Sequence, residues 1–426
     1  MKPVNYLAGD IPEDRSIMGK RIWVISELYY PEETSTGFFL TKIAEGLTEQ
    51  FQVSVLCSQP TYGARGERAA ISEIHKGVHI HRSWGTTFNK DVLPLRLVNI
   101  VTITFSILLN AIWRVRSGDC VLVVTNPPAL PFAVSLACFL HRVPCVLIIH
   151  DVYPEILIAA GITRQGSILN RVIGCLTQMM YRQMSRIIVL GRDMVQLVVR
   201  KLPDGDQCIV TIPNWADLDV VSPSYRKENK LLAQLGCTDK FVVQYAGNMG
   251  RTHGLEDLVC CAKELRNDAM IHFLIIGTGA KRMWIQEIVN EQKINNITIL
   301  DYQPRADLSN TLNACDVAII VFVKGMAGVS VPSRMYNIMA TGKPIIAVAD
   351  AESELALVVR EEDIGWVIYP GDIGGLRMAI LEAKANPDVL VQMGQRARRA
   401  AEAKYSFERV KKAYTEMVAS IYEEAV

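Results

Sequence analysis

The sequence lacks the features that mark several large functional classes. Its 426 residues carry 45 lysines and arginines against 44 aspartates and glutamates, so the net charge of +1 gives no sign of a nucleic-acid partner. The ten cysteines form no CxxC pairs and lie mostly in apolar runs, as thiols do in a reducing compartment. The first twenty residues hold acidic side chains and no apolar core, so we predict no signal peptide and a cytoplasmic location.

The chain has enough apolar sequence for two hydrophobic cores. Half of its residues are apolar, and 426 residues exceed the usual size of a single core. Both halves alternate short β-branched runs with helical segments such as Phe38 to Gln50 and Leu130 to Arg142. Continuous apolar strands separated by helices indicate parallel sheets covered on both faces. We therefore predict an α/β protein of two doubly wound Rossmann-like domains, with ligands in the cleft at the carboxyl ends of the strands.

The order of predicted strands sets the domain boundaries. The alternation stops at residues 213–224, where prolines and polar turn residues replace it. We predict an extension over residues 1–20, an N-terminal domain over 21–214, a C-terminal domain over 215–405 and a helix over 406–426 that crosses back. The predicted strands are RIWVISE, QVSVLCS, VHIHRSW, CVLVVTN, PCVLIIHD, RIIVLG and CIVTIPN in the first half, and FVVQYAGN, HFLIIGTG, NITILDY, DVAIIVF, KPIIAVA and GWVIYP in the second.

One apolar segment has three interpretations. Leu97 to Trp113 is about the minimum length of a membrane span and is flanked by Arg96 and Arg114. It also contains two asparagines and precedes a predicted buried strand, which favours a packed crossover helix. The third interpretation is a helix that rests on a membrane surface.

Two strand-end segments of the second half are candidates for an anion site. In YAGNMGRTHGLEDL a strand leads through a glycine-bearing loop into a helix, and Asn248, Arg251 and His253 add polar side chains. In KGMAGVSVPSRMYN a short loop, expected to be flexible, leads into a helix that Ser333 is expected to cap, with Arg334 beside it. A plain turn remains the alternative for the first segment, and a solvent-facing Asn337 for the second.

A third segment imitates a dinucleotide fingerprint. GTGAKR is followed about twenty residues later by Asp301, which is the spacing of an NAD-binding unit. Arg282 occupies the third glycine position, so we favour a structural turn over an NAD site.

The first half offers two weaker candidates. Ser35, Thr36 and Gly37 follow the first strand and predict a small, flexible loop that lets a backbone approach a ligand. His150 and Asp151 end the strand PCVLIIH, and a histidine at the carboxyl end of such a strand favours a functional role over a structural one.

Five motifs in order resemble the retaining family 4 glycosyltransferases of GT-B fold, from Arg21 to the C-terminal helix. They are YYPEETSTG, IIHDVYPE, IPNWADLD, AGNMGRTHG and PSRMYNIMATGKPIIA. The PSR sequence resembles a subgroup of bacterial transferases for exopolysaccharide, O-antigen and capsule synthesis. The resemblance implies a UDP- or GDP-sugar donor, a glycan or polyprenyl-diphosphate-linked acceptor, no metal cofactor, and possible peripheral contact with the inner face of the cell membrane.

The resemblance also assigns roles to residues. It implies that His150 contacts the donor sugar without acting as a general base, with Asp151 beside it. It places phosphates at Ser333 and Arg334 and the ribose at Asn337. The remaining donor-binding candidates are Ser35, Thr36, Gly37, Asn248, Arg251, His253, Tyr302 at the end of NITILDY, and the backbone at Ser330.

Four positions depart from the family pattern. Asn248 and His253 stand where the family has an arginine and a lysine, and Val329 and Asn337 stand where it has two glutamates. These departures leave open two alternatives to a transferase, a nucleotide-sugar epimerase of GT-B fold and a non-catalytic partner subunit. For the epimerase, we identify no pair of carboxylates suited to acid–base chemistry on one sugar.

Overall fold

The computed structural model describes residues 19–60, 68–88, 93–202 and 208–424, and these form two compact units. Of the described residues, unit 1 holds those up to Pro154, those within 166–213 and those from Glu408 onward, and unit 2 holds residues 155–165 and 214–407. The change of unit at Pro213 and Asn214 lies at the edge of the predicted break. Residues 155–165, which sequence analysis placed in the first domain, belong with unit 2 because their contacts lie there.

Parallel strands form the centre of each unit. Unit 1 has an eight-stranded sheet in the order β3-β4-β2-β1-β5-β6-β7-β8, in which only β3 is antiparallel to its neighbour. Unit 2 has a six-stranded parallel sheet in the order β11-β10-β9-β12-β13-β14. The strands are β1 Arg21–Ile25, β2 Gln52–Ser58, β3 Ser72–His75, β4 Val78–Ser83, β5 Cys120–Val124, β6 Cys145–Ile149, β7 Arg186–Val189, β8 Ile209–Thr211, β9 Phe241–Ala246, β10 Ile271–Ile276, β11 Ile297–Leu300, β12 Val317–Val321, β13 Ile345–Val348 and β14 Gly365–Ile368.

Helices connect these strands. They are α1 Ser35–Leu47, α2 Leu93–Arg114, α3 Leu130–His141, α4 Glu155–Ala159, α5 Ile168–Tyr181, α6 Arg192–Lys201, α7 Lys230–Gln234, α8 Leu255–Glu264, α9 Arg282–Glu291, α10 Leu308–Leu312, α11 Arg334–Ala340, α12 Glu354–Glu361, α13 Ile373–Ala385, α14 Pro387–Lys404 and α15 Phe407–Glu424. Every predicted strand is present, and the α/β prediction of two Rossmann-like sheets is confirmed. The edge strand β3 was not predicted because its short polar sequence has no apolar run.

In unit 1 the chain direction separates the helices onto two faces. The crossovers through α2, α3, α5 and α6 all move the chain towards β8, whereas α1 returns it from β1 to β2. Because such crossovers are right-handed, α2, α3, α5 and α6 share one face of the sheet and α1 lies on the other. The C-terminal helix α15 joins the face of α1, since Lys411 Nζ lies 2.9 Å from Glu49 Oε1.

Helix α2 contains the ambiguous segment and packs against the sheet along one side. Ile103, Ile107 and Ala111 recur every four residues and are buried. Asn99 continues this stripe. Its Nδ2 donates to the Phe88 carbonyl oxygen at 2.9 Å and its Oδ1 accepts from the Phe88 backbone N–H at 3.0 Å, which explains an asparagine in an apolar helix. By length and composition alone, residues 94–114 are apolar enough to cross a membrane. Only 22% of the most apolar window is buried, so most of this apolar segment is not covered by the rest of the protein.

In unit 2 the sheet register brings three loops together. Ala246 at the end of β9 pairs with Ile276 at the end of β10, which in turn pairs with Leu300 at the end of β11. Strand β12 pairs with β9 on its other side. The loops that leave β9, β10 and β12 therefore meet at one edge of the sheet. The segments after β9 and β12 carry the predicted residues Asn248, Arg251, His253, Ser330, Ser333 and Arg334, whereas Tyr302 follows β11.

Candidate active site

Arg334 is the centre of the polar cluster in unit 2. It is the first residue of α11, and its guanidinium group reaches back under the end of β9. Nη1 donates to the Ala246 carbonyl oxygen at 3.3 Å, and Nη2 lies 2.8 Å from His253 Nε2. The guanidinium carbon is 4.8 Å from the centroid of the buried Tyr245 ring, a cation–π contact. Arg334 is thus fixed in position by three groups.

His253 is neutral and presents one nitrogen to the loop. Burial, and secondly the positive charge of Arg334, hold its pKa well below the usual value for histidine. A guanidinium group can only donate, so Nε2 must accept, which assigns the proton to Nδ1. Nδ1 is buried and makes no hydrogen bond of normal geometry with a described residue, although the Gly250 backbone lies beside it and favours a proton on the ring. The ring also stacks on Phe322, with centroids 5.4 Å apart. A buried N–H without a well-formed hydrogen bond is a candidate ligand donor.

The close approach of the loops requires glycine at two positions. Gly247 has φ of +144°, and a Cβ there would lie 2.8 Å from the guanidinium carbon of Arg334. Gly279 also has φ of +144°, and a Cβ there would lie 2.6 Å from Asn248 Oδ1. A side chain at either position would collide with its neighbour and strain the backbone. The glycines of AGN and GTG therefore serve the packing of the loops around Arg334 and Asn248.

The loop over residues 324–328 is held in place, contrary to the expected flexibility. Asp350, two residues beyond β13, is 6% exposed. Its Oδ2 accepts from the backbone N–H groups of Gly325, Met326 and Ala327 at 2.9, 2.8 and 3.1 Å. Three charge-assisted hydrogen bonds to one carboxylate oxygen fix this segment ahead of α11. Asp350 was not predicted, although an acidic residue that ends the apolar run KPIIAVA was the available signal.

The start of α11 differs from the sequence expectation. Ser333 occupies the N-cap position, but its side chain makes no capping hydrogen bond. Its φ of −60° and ψ of −24° are helical, whereas a capping residue is extended. Ser330 is partly exposed, and Val329 is buried with 2% exposure, so the valine side chain belongs to the core.

Asn337 already has a partner within unit 2. Its Oδ1 accepts from the backbone N–H of Asp217 at 2.8 Å. Asp217 in turn forms an ion pair with Arg305 at 2.5 Å. The predicted ribose contact of Asn337 would therefore rely on its side-chain N–H groups, unless the bond to Asp217 opens.

The other candidates of unit 2 surround the same strand ends. Asn248 and Arg251 are exposed on the loop after β9, and Arg251 forms no ion pair among the described residues. Tyr302 is exposed after β11. In the dinucleotide-like segment, Arg282 Nη2 lies 2.6 Å from Asp301 Oδ1. This ion pair occupies the carboxylate that an NAD ribose would need and supports the structural interpretation.

Ser35, Thr36 and Gly37 form the first turn of α1 in unit 1, and the expected flexible loop is wrong. Thr34 is extended and its side chain accepts from Gly37 N at 3.3 Å, which starts the helix at Ser35. A Cβ at residue 37 would lie 2.7 Å from the Glu32 carbonyl oxygen, so this position requires glycine. The backbone can still approach a ligand here, but as a helix start.

His150 and Asp151 lie directly after β6 in unit 1. Their backbone N–H groups both donate to Thr125 Oγ1, at 3.1 and 3.4 Å. Although His150 as a residue is partly exposed, its Nε2 is buried without a partner among the described residues. Burial lowers the pKa of His150 to about 4, so the ring is neutral at pH 7. These features suit hydrogen bonding and make His150 a poor general base.

Comparisons with known proteins agree with this fold. Residues 36–215 match the family described as glycosyl transferase 4-like domain, and residues 228–400 match glycosyl transferases group 1. The chain is 31% identical over 352 residues to the probable glycosyltransferase WbjE of Pseudomonas aeruginosa, covering 83% of this chain and 86% of that protein. It is 22% identical to the putative colanic acid biosynthesis glycosyl transferase WcaI of Escherichia coli K12, covering 86% and 93%.

Solved structures share the fold at low sequence identity. Sucrose-phosphate synthase from Thermosynechococcus elongatus has a TM-score of 0.75 at 15% identity, covering 95% of this chain and 100% of that one. Anabaena HepE, solved in complex with UDP and glucose, has a TM-score of 0.71 at 16% identity, covering 94% and 100%. The solved structures agree with the GT-B fold, and the family matches together with the relative of 31% identity show that the chain belongs to the family 4 glycosyltransferases, as its motifs predicted.

Replacing Asp350 should loosen the loop over residues 324–328. In Asp350→Asn the three backbone donors lose their charged acceptor, so we expect faster amide hydrogen exchange at Gly325, Met326 and Ala327 and a loss of about 1.5–3 kcal/mol in unfolding free energy. Hydrogen exchange with mass spectrometry measures the first effect. The control is Asp372→Asn, which weakens the cap of α13 at Gly375 N. Equal exchange of the loop in both variants would contradict the assignment.

His150 should make the protein less stable in acid. Its pKa is about 4 when folded and about 6.5 when unfolded, so protonation favours the unfolded chain as the pH falls from about 6.5 towards 4. The melting temperature of His150→Gln should therefore fall less between pH 7 and pH 5 than that of the parent. The exposed His79 on β4 provides the control variant His79→Gln. Identical acid sensitivity in parent and His150→Gln would refute the prediction.

Proposed function

We propose that the protein transfers a sugar from a nucleotide diphosphate sugar to a glycan or lipid-linked acceptor, with retention, in bacterial surface-polysaccharide synthesis. The observation that carries the donor class is the fixed pair of Arg334 and the neutral His253 beneath the glycine-bearing end of β9. The relative named for colanic acid biosynthesis supports the pathway class. HepE, whose structure contains UDP, supports a uridine nucleotide as the first donor to test.

The donor diphosphate would bind at the loop after β9. The buried Nδ1–H of His253 supplies one donor, and the exposed Asn248 amide and Arg251 add two more groups on the same loop. Arg334 supplies positive charge beneath them. A neutral histidine and a fixed arginine thus take over the task for which the family uses an arginine and a lysine.

The chemistry we propose is electrostatic. The bond between the anomeric carbon and the diphosphate oxygen breaks, and its electron pair leaves with the nucleotide, whose growing negative charge Arg334 and the loop N–H groups stabilise. The acceptor hydroxyl forms the new bond on the face that the nucleotide leaves, so the anomeric configuration is kept. Its proton can pass to the departing phosphate oxygen, which lies on that face. No metal is needed in this scheme.

The donor sugar would be held without the two family glutamates. Val329 is buried, so the first of these contacts must come from the backbone around Ser330, which the Asp350-bound loop positions. Asn337 offers side-chain N–H groups to the ribose. We keep His150 and Asp151 as candidates for contact with the sugar, and Ser333 and Tyr302 for contact with the nucleotide. The mostly buried free cysteines fit the cytoplasmic location that we propose.

Nucleotide binding tests the site directly. Calorimetry with UDP and with GDP should show binding to the parent, and His253→Phe should weaken it by about 1–3 kcal/mol because the ring keeps its stacking but loses both Nδ1–H and the Nε2 that accepts from Arg334. His272→Phe is the control, since it alters an equally buried histidine on β10. If neither UDP nor GDP binds at millimolar concentration, the assignment of the donor site is wrong. A loss of the same size in the control would reject the role of His253.

A panel of nucleotide sugars, screened by thermal shift, then identifies the donor. Incubation of that donor without acceptor separates two reactions, since conversion to an epimer would establish the epimerase and overturn the transferase proposal. Sugar transfer to acceptor in a membrane extract from a bacterium that makes surface polysaccharide, lost in Arg334→Ala, is the expected result. Binding of donor without transfer by the parent would favour the non-catalytic partner subunit.

A further inference from the structure

One face of unit 1 exposes large apolar side chains on three helices. Those of α2 recur every fourth residue, from Leu97 through Phe105 to Trp113, on the side opposite the buried stripe. By contrast α1, α6 and α15 of the same unit have no exposed large apolar side chain among the described residues. The side chains of this apolar face are Leu97, Val98, Val101, Phe105, Leu109 and Trp113 on α2, Leu136, Phe139 and Leu140 on α3, and Ile168, Leu169, Val172, Leu176 and Met179 on α5.

These side chains form a surface because the helices are neighbours. The crossovers place α2, α3 and α5 on the same side of the sheet, and α3 packs against both of the others. Several members are more than half exposed, including Phe105 at 60%, Phe139 at 70% and Ile168 at 80%. A soluble surface rarely carries so many large apolar groups on adjoining helices, which marks an interaction surface.

The charged side chains within the helices of the apolar face all have one sign. Helices α2, α3 and α5 contain no aspartate or glutamate. Exposed arginines stand at or near their ends, and none of them forms an ion pair with a described residue. They are Arg96, Arg114, Arg142, Arg171 and Arg182. Arginines around an apolar surface are the pattern of a protein that contacts anionic lipid, where each arginine reaches a headgroup while the apolar side chains enter the acyl region.

A basic cavity continues the apolar face at the end of α2. It has a volume of about 720 Å³, and its lining includes Trp113, Arg114, Arg116, His79 and His81. Trp113 belongs to both the cavity and the exposed stripe, a position that tryptophan favours at a membrane interface. The two arginines form no ion pair among the described residues, so the cavity presents uncompensated positive charge to a phosphate group.

We propose that the apolar face of unit 1 lies on an anionic lipid surface. This goes beyond the reaction proposed above and does not depend on it. A second copy would bring the same arginines against each other, so charge disfavours a dimer through this face. Spanning is disfavoured because α2 is fixed to the sheet through its buried stripe and the bonds between Asn99 and Phe88.

Vesicle flotation without nucleotide or sugar tests the proposal. The parent should float with vesicles of phosphatidylcholine containing about one quarter phosphatidylglycerol, bind less to phosphatidylcholine alone, and be released as NaCl rises from about 0.1 to 0.5 M. Arg96→Gln/Arg114→Gln/Arg171→Gln should lower the partition onto anionic vesicles by roughly 10–100-fold and remove most of the salt effect. Phe105→Ser/Phe139→Ser/Ile168→Ser should lower binding to both vesicle types by roughly tenfold or more.

Matched variants of unit 2 control for charge and apolarity. Lys227→Gln/Arg266→Gln/Arg399→Gln removes three exposed cations, and Met283→Ser/Met378→Ser/Val391→Ser removes three exposed apolar side chains. Both should bind as the parent does, and melting curves establish that each variant is folded. No flotation of the parent with anionic vesicles, or equal flotation of the apolar variant, would overturn the proposal. So would a parent dimer in light scattering that the apolar variant turns into a monomer.

Discussion

The bond from Arg334 to the neutral His253 is the interaction on which the candidate site depends. It holds the first residue of α11 under the end of β9, so two segments distant in the sequence, residues 247–253 and 329–337, share one polar centre. The contact also decides the proton position on the imidazole ring, because a guanidinium group cannot accept. Gly247 is part of the same constraint, since any larger residue would displace the guanidinium group.

Much of this fold could be predicted because parallel strands are continuous apolar runs. RIWVI, CVLII and VAIIV are buried on both faces, and their β-branched residues and short length favour strands over buried helices. The order of motifs also predicted the family correctly. The edge strand Ser72–His75 was out of reach, since it is polar and half exposed and depends on pairing with β4.

The site was less predictable, because its details depend on contacts between distant residues. The sequence places Ser35, Thr36 and Gly37 before a helix that was predicted from Phe38. It does not show that Thr34 caps this helix, so that the helix begins at Ser35, three residues earlier. The glycines in KGMAG predict a flexible loop. In the structure Asp350, more than twenty positions away, accepts from three of its backbone N–H groups and holds it in place. The apolar length of Leu97–Trp113 and the strand after it favoured a packed helix, but only the packing of its buried stripe shows which side chains remain exposed.

The amide of Asn337 sets up a competition within unit 2. Its single carbonyl oxygen already accepts from Asp217, next to the position where the chain leaves unit 1. A ribose hydroxyl that donates to this oxygen must share it or displace the backbone N–H of Asp217. The binding free energy of such a contact would be reduced by the cost of losing the Asp217 bond that orders the PNWADLD segment. If the ribose bound at Oδ1 rather than at the N–H groups proposed above, a mutation that weakens this segment's hold on Asn337 would strengthen nucleotide binding by thermodynamic linkage.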